Sequence, residues 1–361
     1  MKRIILLAGA LLLAIADASS AQVNVVTTLP DYADFARRIG GDRVTVDAIV
    51  KGDQDAHFIR PKPSFVGMVA RADLLVSTGL DLELWLPTVV NKSGNARVRS
   101  GKTGYCAAAH GMRLLEKPTT MSRVEGGVHI HGNPHVTCSP INMVVAIHNI
   151  AAGLTNADPD GKAIYEAGRD RLVADLDRRL FGEKLVSLLG GKTLRAMAEK
   201  GTLIPFLEKK SFRGTRLIEH LGGWMKQMMP LRGKPIVTYH KNWIYFVRLF
   251  GLTELGTIEP KPGIPPSPKH VTGLISLMDE RDVKIVLAAN YFDEQKVRSV
   301  ADAVGAEPVI VPLYVGGAYG VDSYVKLVDH WVSALLEAAR KGGLISQADR
   351  AAPPGMGAPH V

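Results

Sequence analysis

The chain has only two cysteines, Cys106 and Cys138, in 361 residues. They are not closely spaced, which excludes a cysteine-rich zinc ribbon and a small disulfide-framed scaffold. A single bridge between them and a pair of separate buried thiols both stay open. The sequence also lacks any long Lys/Arg run, although the formal net charge is +9. Without such a run, and without aromatic residues interleaved among the cations, the pattern of a single-strand nucleic-acid binder is missing. The positive excess reads as a solvated basic surface that would also favour contact with acidic membranes. After the first residues no apolar run is long enough to cross a bilayer. Hydrophobic residues at 46% and charged residues at 22% place the chain among globular proteins, with length for two domains.

The amino-terminal segment sets the compartment. Lys2 and Arg3 precede an apolar run from Ile4 to Ala16, followed by Ser19, Ser20 and Ala21. The run is short for a membrane span, and the small residues suit a signal peptidase. A cleavable signal peptide over 1–21 is expected, with a periplasmic chain starting at Gln22. No cysteine near residue 21 is available to carry a lipid.

From Val23 onward, strand-like and helix-like patterns alternate. Val23–Thr28 and Arg43–Val50 are β-branched runs, and Leu74–Ser77 is a short apolar one. Between the first two, Tyr32, Phe35, Ala36 and Ile39 recur at helical spacing. Residues 22–157 therefore read as an α/β lobe with a mainly parallel sheet, within which Gly101–Gly132 looks irregular. Ile164, Gly168, Leu172, Leu176 and Leu180 recur every fourth residue, which predicts one long connecting helix over 158–189. Glycines break 190–233 into a helical insertion. Strand and helix patterns then resume over 234–341, with strands expected at Pro235–Tyr239, near Thr257–Ile258, at Lys284–Ala288 and at Pro308–Val311. Asp322 reads as the N-cap of the last helix, and the Gly/Pro/Ala-rich 342–361 as a disordered tail. The fold class expected is thus two α/β lobes with mainly parallel sheets joined by a long α-helix.

Among the eleven histidines, three stand in turn contexts far apart in sequence. They are His57 in Asp55-Ala56-His57, His135 in Asn133-Pro134-His135, and His240 in Thr238-Tyr239-His240. Imidazoles gathered from distant loops are what a buried transition-metal site needs. In open α/β sheets such loops meet at the carboxyl ends of strands. Spacing alone leaves each of them open as an ordinary core histidine. His129 and His131, flanking one apolar residue in a Gly-rich loop, form a looser capture pair. His110, His148, His220, His270 and His330 read as surface or capping residues.

Several motifs in order resemble the metal-binding solute-receptor family of bacterial zinc/manganese ABC importers. They are Val25-Val26-Thr27-Thr28-Leu29-Pro30, then Asp55-Ala56-His57 through Pro63-Ser64, and Asn133-Pro134-His135 with Pro140. Thr238-Tyr239-His240 through Phe250-Gly251-Leu252, and Glu259 through Pro266, complete the set. The similarity runs from about residue 23 to 340. It implies a periplasmic receptor, not an enzyme, with metal held in the interlobe cleft by His57 and His135 from one lobe and His240 from the other. It further implies an inner-membrane ABC permease with its ATPase as partner, a monomeric state and no nucleic acid.

Three departures stand out. Ala56 replaces the usual proline. The 190–233 segment is longer than the family's link. No carboxylate follows the last strand, where the family supplies an Asp; the stretch reads Val311-Pro312-Leu313-Tyr314-Val315-Gly316-Gly317. Water, Glu259 or Tyr314 is left for the fourth position. Three neutral imidazoles favour Zn²⁺ over Mn²⁺, which prefers carboxylate oxygen. The alternatives are a zinc hydrolase with an open three-His site and a metal-buffering chaperone or adhesin without its own permease.

Overall fold

The computed structural model describes residues 22–117, 129–261 and 263–346. The expected signal segment lies outside them, as do Pro118, Gly126 and Gly127 of the irregular stretch and residues 347–361 of the expected tail.

Two parallel sheets form the frame. The first contains β1 (Val23–Thr27), β2 (Val44–Ala48), β3 (Leu74–Ser77) and β4 (Tyr105–Ala107), in the order β2-β1-β3-β4. The second contains β7 (Pro235–Thr238), β8 (Thr253–Thr257), β9 (Ile285–Ala289) and β10 (Glu307–Val311), in the order β10-β9-β7-β8. Every neighbouring pair in both sheets is parallel. The two sheets share one topology: the chain steps one way from the first strand, then crosses to its other side. Each lobe therefore has a switch point, between β1 and β3 and between β7 and β9, where crossovers diverge and a crevice opens.

Side-chain alternation decides what each sheet covers. In β9 all five residues are buried, as expected for a parallel strand covered on both faces. Ile285, Leu287 and Ala289 join a core that runs through both lobes. Val286 and Ala288 face a second cluster with Val297 and Val300 of α12 (Glu294–Asp302) and Leu274 of α11 (Pro268–Glu280).

The lobes are locked by contacts that no local pattern announces. The Tyr324 amide, at the start of α13 (Tyr324–Lys341), donates to Asp34 of α1 (Pro30–Gly40) at 2.9 Å. Its hydroxyl donates to the Thr137 carbonyl at 2.7 Å, and its ring lies 5.2 Å from Phe35. Gly52 and Gly317 meet backbone to backbone; a Cβ on Gly52 would sit 2.2 Å from the Gly317 nitrogen. Only glycine fits at that crossing.

Several expectations change. The long helix is divided. α5 (Lys162–Phe181) spans about 30 Å at 1.5 Å per residue, packing on α1 and α4 (Pro140–Ala157) and on α9 (Gly223–Met228). It stops at Gly182, whose φ of +84° breaks the helical path, and α6 (Glu183–Leu189) follows as a separate piece. The irregular Gly101–Gly132 stretch holds β4, an edge strand of three residues too short to show alternation. β8 runs over Thr253–Thr257, earlier than the strand expected near Thr257–Ile258, because its Thr-Glu-Leu-Gly-Thr sequence carries little apolar signal to mark it. The N-cap of α13 is Ser323, whose hydroxyl accepts from the Lys326 amide; Asp322 pairs instead with Lys326 Nζ at 2.8 Å. Cys106 and Cys138 are separate buried thiols.

Candidate metal centre

The loops after β2, β4 and β7 bring His57, His135 and His240 into one cluster at the carboxyl ends of the strands, between the lobes. Ring centroids stand 5.1 Å apart for His57 and His135, 5.4 Å for His135 and His240, and 6.2 Å for His57 and His240.

Two of these rings are oriented by the same short device. Asp55 opens a single turn of 3-10 helix, and its Oδ1 accepts from the His57 amide at 2.9 Å. The same oxygen lies 2.7 Å from His57 Nδ1. Trp85 Nε1 pins the loop from outside by donating to the Ala56 carbonyl at 2.8 Å. In the next motif Asn133 Oδ1 accepts from the His135 amide at 3.0 Å and lies 2.9 Å from Nδ1. An acceptor on Nδ1 selects the tautomer that carries its proton there and leaves the Nε2 lone pair for a metal. His135 Nε2 is buried and has no partner, which is the signature of a donor atom awaiting an ion.

His240 is held differently. It is 5% exposed, and its Nδ1 has no hydrogen-bond partner. Glu259 Oε1 stands 3.7 Å from that nitrogen, beyond hydrogen-bond range. The Glu259 carboxylate is itself held by the Gly263 amide.

A fourth imidazole enters from the Gly-rich loop. His129 Nε2 is 3.3 Å from His57 Nε2, and its ring lies 5.2 Å from His57 and 5.9 Å from His135. Its neighbour His131 turns outward, 56% exposed, with Nε2 3.8 Å from Asp81. The loop that carries the pair delivers one ring to the cluster and leaves the other outside. Tyr314 is fully buried in the core, and its ring takes no part in the contacts that join the four imidazoles.

Geometry gives a test of fit. Zn–N bonds of about 2.0–2.1 Å in a tetrahedron place ligand nitrogens about 3.3–3.4 Å apart and ring centres about 5.2 Å apart. The His57–His129 nitrogen distance of 3.3 Å meets the first value. The 5.1, 5.2 and 5.4 Å ring spacings meet the second. His129 and His135, at 5.9 Å, and His57 and His240, at 6.2 Å, are wider. Among the described residues no three His, Cys, Asp or Glu side chains are yet drawn tightly enough to enclose an ion. The ring spacings describe an open frame.

The electrostatics prepare the rings to bind. Burial, reinforced by the neighbouring imidazoles, pushes His129 down to about 4, His240 down to about 3, and His135 well below its ordinary value. These rings are therefore neutral at neutral pH, and a metal need not displace their protons. Burial would raise Asp55, but its bonds from the His57 ring and amide prevail and hold it below the usual carboxylate range.

Both lobes are tied beside the cluster. Asn133 Nδ2 donates to the Lys241 carbonyl at 2.6 Å and to Glu116 at 2.9 Å. Tyr245 of α10 (Ile244–Phe250) donates to the Asn133 carbonyl at 2.6 Å. Asn133 thus joins the His135 ring to the residue that follows His240.

Comparison with known proteins agrees with this architecture. The chain is similar to the high-affinity zinc uptake system protein ZnuA of Bacillus subtilis, 25% identical over 81% of this chain and 77% of that one. It is also 25% identical to the manganese ABC transporter substrate-binding lipoprotein ScaA of Streptococcus gordonii, over 79% of this chain and 77% of that one. A zinc-bound crystal structure of a ZnuA deletion mutant shares the fold at a TM-score of 0.64 and 22% identity, covering 88% of this chain and 98% of that one. A manganese-bound periplasmic metal-binding protein from Candidatus Liberibacter asiaticus does so at a TM-score of 0.61 and 19% identity, covering 88% and 98%. The family model for ZnuA, zinc-uptake complex component A, periplasmic, matches residues 25–179 and 215–338. With most of its length so matched, the chain belongs to this family of metal-binding receptors of ABC importers, which are solute-binding proteins and not enzymes.

Proposed function

We propose that the chain captures Zn²⁺ with His57, His129, His135 and His240 and delivers it to an ABC permease driven by its ATPase. The observation that carries this reading is the buried, partnerless Nε2 of His135 inside a group of four imidazoles. Relatives are named for zinc and for manganese, so the donor set has to discriminate. Four neutral nitrogens suit Zn²⁺, whereas Mn²⁺ favours carboxylate and carbonyl oxygen. Glu259 then acts on His240 from beside the ring, and His129 takes the position that family members give to an Asp. A fourth imidazole also fills the place that a catalytic zinc keeps for water, which argues against the hydrolase alternative.

In this reading the lobes are tied before metal arrives, so capture needs a small inward movement of the rings. Release follows when contact with the permease strains the ties beside the site. The amino-terminal segment directs export and is removed before Gln22, and the receptor works as a monomer. Sequencing the mature amino terminus and sedimentation analysis check those two points.

The deciding test is competitive titration of the metal-free protein with a chromogenic zinc chelator, in parent and His240→Ala forms. The parent should bind Zn²⁺ far more tightly than Mn²⁺, and the variant should lose zinc affinity by well over a hundredfold. Undiminished zinc affinity in His240→Ala would sink the site assignment, and a preference for Mn²⁺ would sink the metal.

A further inference from the structure

The part of the chain that the family pattern omits is strongly basic. The family match stops at residue 179 and resumes at 215. Residues 180–214, between the matched segments, carry seven Lys or Arg against three Glu, a net +4 within the chain's +9. Here α7 (Gly191–Glu199) and α8 (Leu203–Lys209) lead into an antiparallel hairpin of β5 (Ser211–Phe212) and β6 (Thr215–Arg216).

The hairpin is closed by Arg213 and Gly214, at φ of 49° and 83°. Two positive φ values in a two-residue loop mark the mirror-image tight turn that suits a hairpin. A Cβ on Gly214 would meet nothing within 4 Å, so the tip stands clear of the body. Its base is fixed by the bond from the Leu217 amide to the Lys210 carbonyl at 2.8 Å and by burial of Leu217.

The chemistry of the tip is distinctive. Lys209, Lys210, Arg213 and Arg216 are all exposed. Arg216 has a carboxylate at 3.3 Å, in Glu219. Lys209, Lys210 and Arg213 have none among the described residues. Between them Phe212 is 43% exposed, with the Arg213 guanidinium 5.2 Å from its ring centre.

We propose that this hairpin docks the receptor on an anionic phospholipid surface. Unpaired cations around an exposed aromatic ring fit the membrane interface, where the ring sits at headgroup depth and the cations meet lipid phosphates. A protein partner fits less well, because a specific interface covers about 800 Å² on each side and this tip is a few residues wide. The family's periplasmic setting puts a membrane leaflet within reach. Docking would hold the receptor in the layer where its permease lies and shorten the search for it.

The test is flotation of the full chain with vesicles of phosphatidylcholine alone or with about 30% phosphatidylglycerol. The parent should float with the anionic vesicles at low salt, weaken as salt screens the charges, and stay behind with neutral ones. Each basic residue at such a surface is worth roughly fivefold in partitioning, so Lys209→Gln/Lys210→Gln/Arg213→Gln should reduce it about a hundredfold. Phe212→Ser should reduce it severalfold. Melting curves and zinc titration, expected to be unchanged, keep folding and the metal site out of the comparison. The proposal is overturned if the two vesicle types bind equally, if the triple variant floats like the parent, or if binding requires a permease embedded in neutral vesicles. The last result would assign the tip to a protein partner.

Discussion

Two of the four imidazoles are aimed by their own sequence neighbours, and two are aimed by distant parts of the chain. His57 and His135 each follow, two residues on, an Asp or Asn whose side chain holds both the histidine amide and its Nδ1. His240 Nδ1 has the Glu259 carboxylate at 3.7 Å and, among the described residues, no hydrogen-bond partner, and His129 Nε2 stands against His57 Nε2 at 3.3 Å. The first pair is preset whenever its loop forms, because the clamp spans three residues. His240 depends on the two lobes being correctly docked, and His129 on how its loop packs within its own lobe. The contrast suggests an order of assembly in which the clamped rings offer a half-site and the others complete it.

The sharpest way to break this contrast is to remove a clamped ring. His135→Ala should abolish tight zinc binding, a larger loss than His129→Ala, both measured by chelator competition. Equal losses would mean that the cluster acts as one unit without a preset half.

A smaller effect is expected from the clamps themselves. Asp55→Ala and Asn133→Ala should each weaken zinc binding by about 10–100-fold, the usual cost of losing a partner that orients a metal-bound imidazole. Asn133→Ala should cost more, since it also breaks the bond to the Lys241 carbonyl. Glu259→Gln should stay below the lower end of that range. A Glu259→Gln loss as large as that of Asp55→Ala would promote Glu259 to a direct ligand.

The smallest effect is a matter of pH in the metal-free protein. The His240 ring is held down to about 3 by burial, whereas in an unfolded chain it titrates near about 6.5. Between those values the unfolded state binds a proton that the native state refuses, so this ring's contribution to stability is full above about 6.5 and is lost as pH falls toward 3. The urea midpoint of the parent should therefore drop further between pH 7.5 and 4.5 than that of His240→Gln. Parallel curves would show that His240 titrates normally in the folded protein.

Much of this was legible in the residues. β-Branched runs between helical periodicities give a parallel α/β lobe twice, and the core positions of α1 lie where the spacing of Tyr32, Phe35, Ala36 and Ile39 puts them. The three motif histidines converge as the loop contexts implied. The Asx-x-His spacing that sets two rings was also present in the sequence, but its meaning depends on a turn that only the folded loop displays. His129 was harder to see. A histidine in a Gly-rich loop has no periodicity or clamp to distinguish it from His131, and the two diverge because one finds His57 and the other finds Asp81. Gly182, which ends α5, stands just past the apolar stripe, whose last member is Leu180.

By itself the sequence determined the two α/β lobes and most of their strands and helices, because periodicity and turn chemistry act over a few residues at a time. Tertiary structure alone decided the fourth imidazole, the absence of Tyr314 from the cluster and the crossing of Gly52 with Gly317. Those depend on distances between chain segments far apart in number. Such distances are set by packing, within one lobe for His129 and between lobes for Gly52 and Gly317, and packing is a property of the whole core that no local window contains.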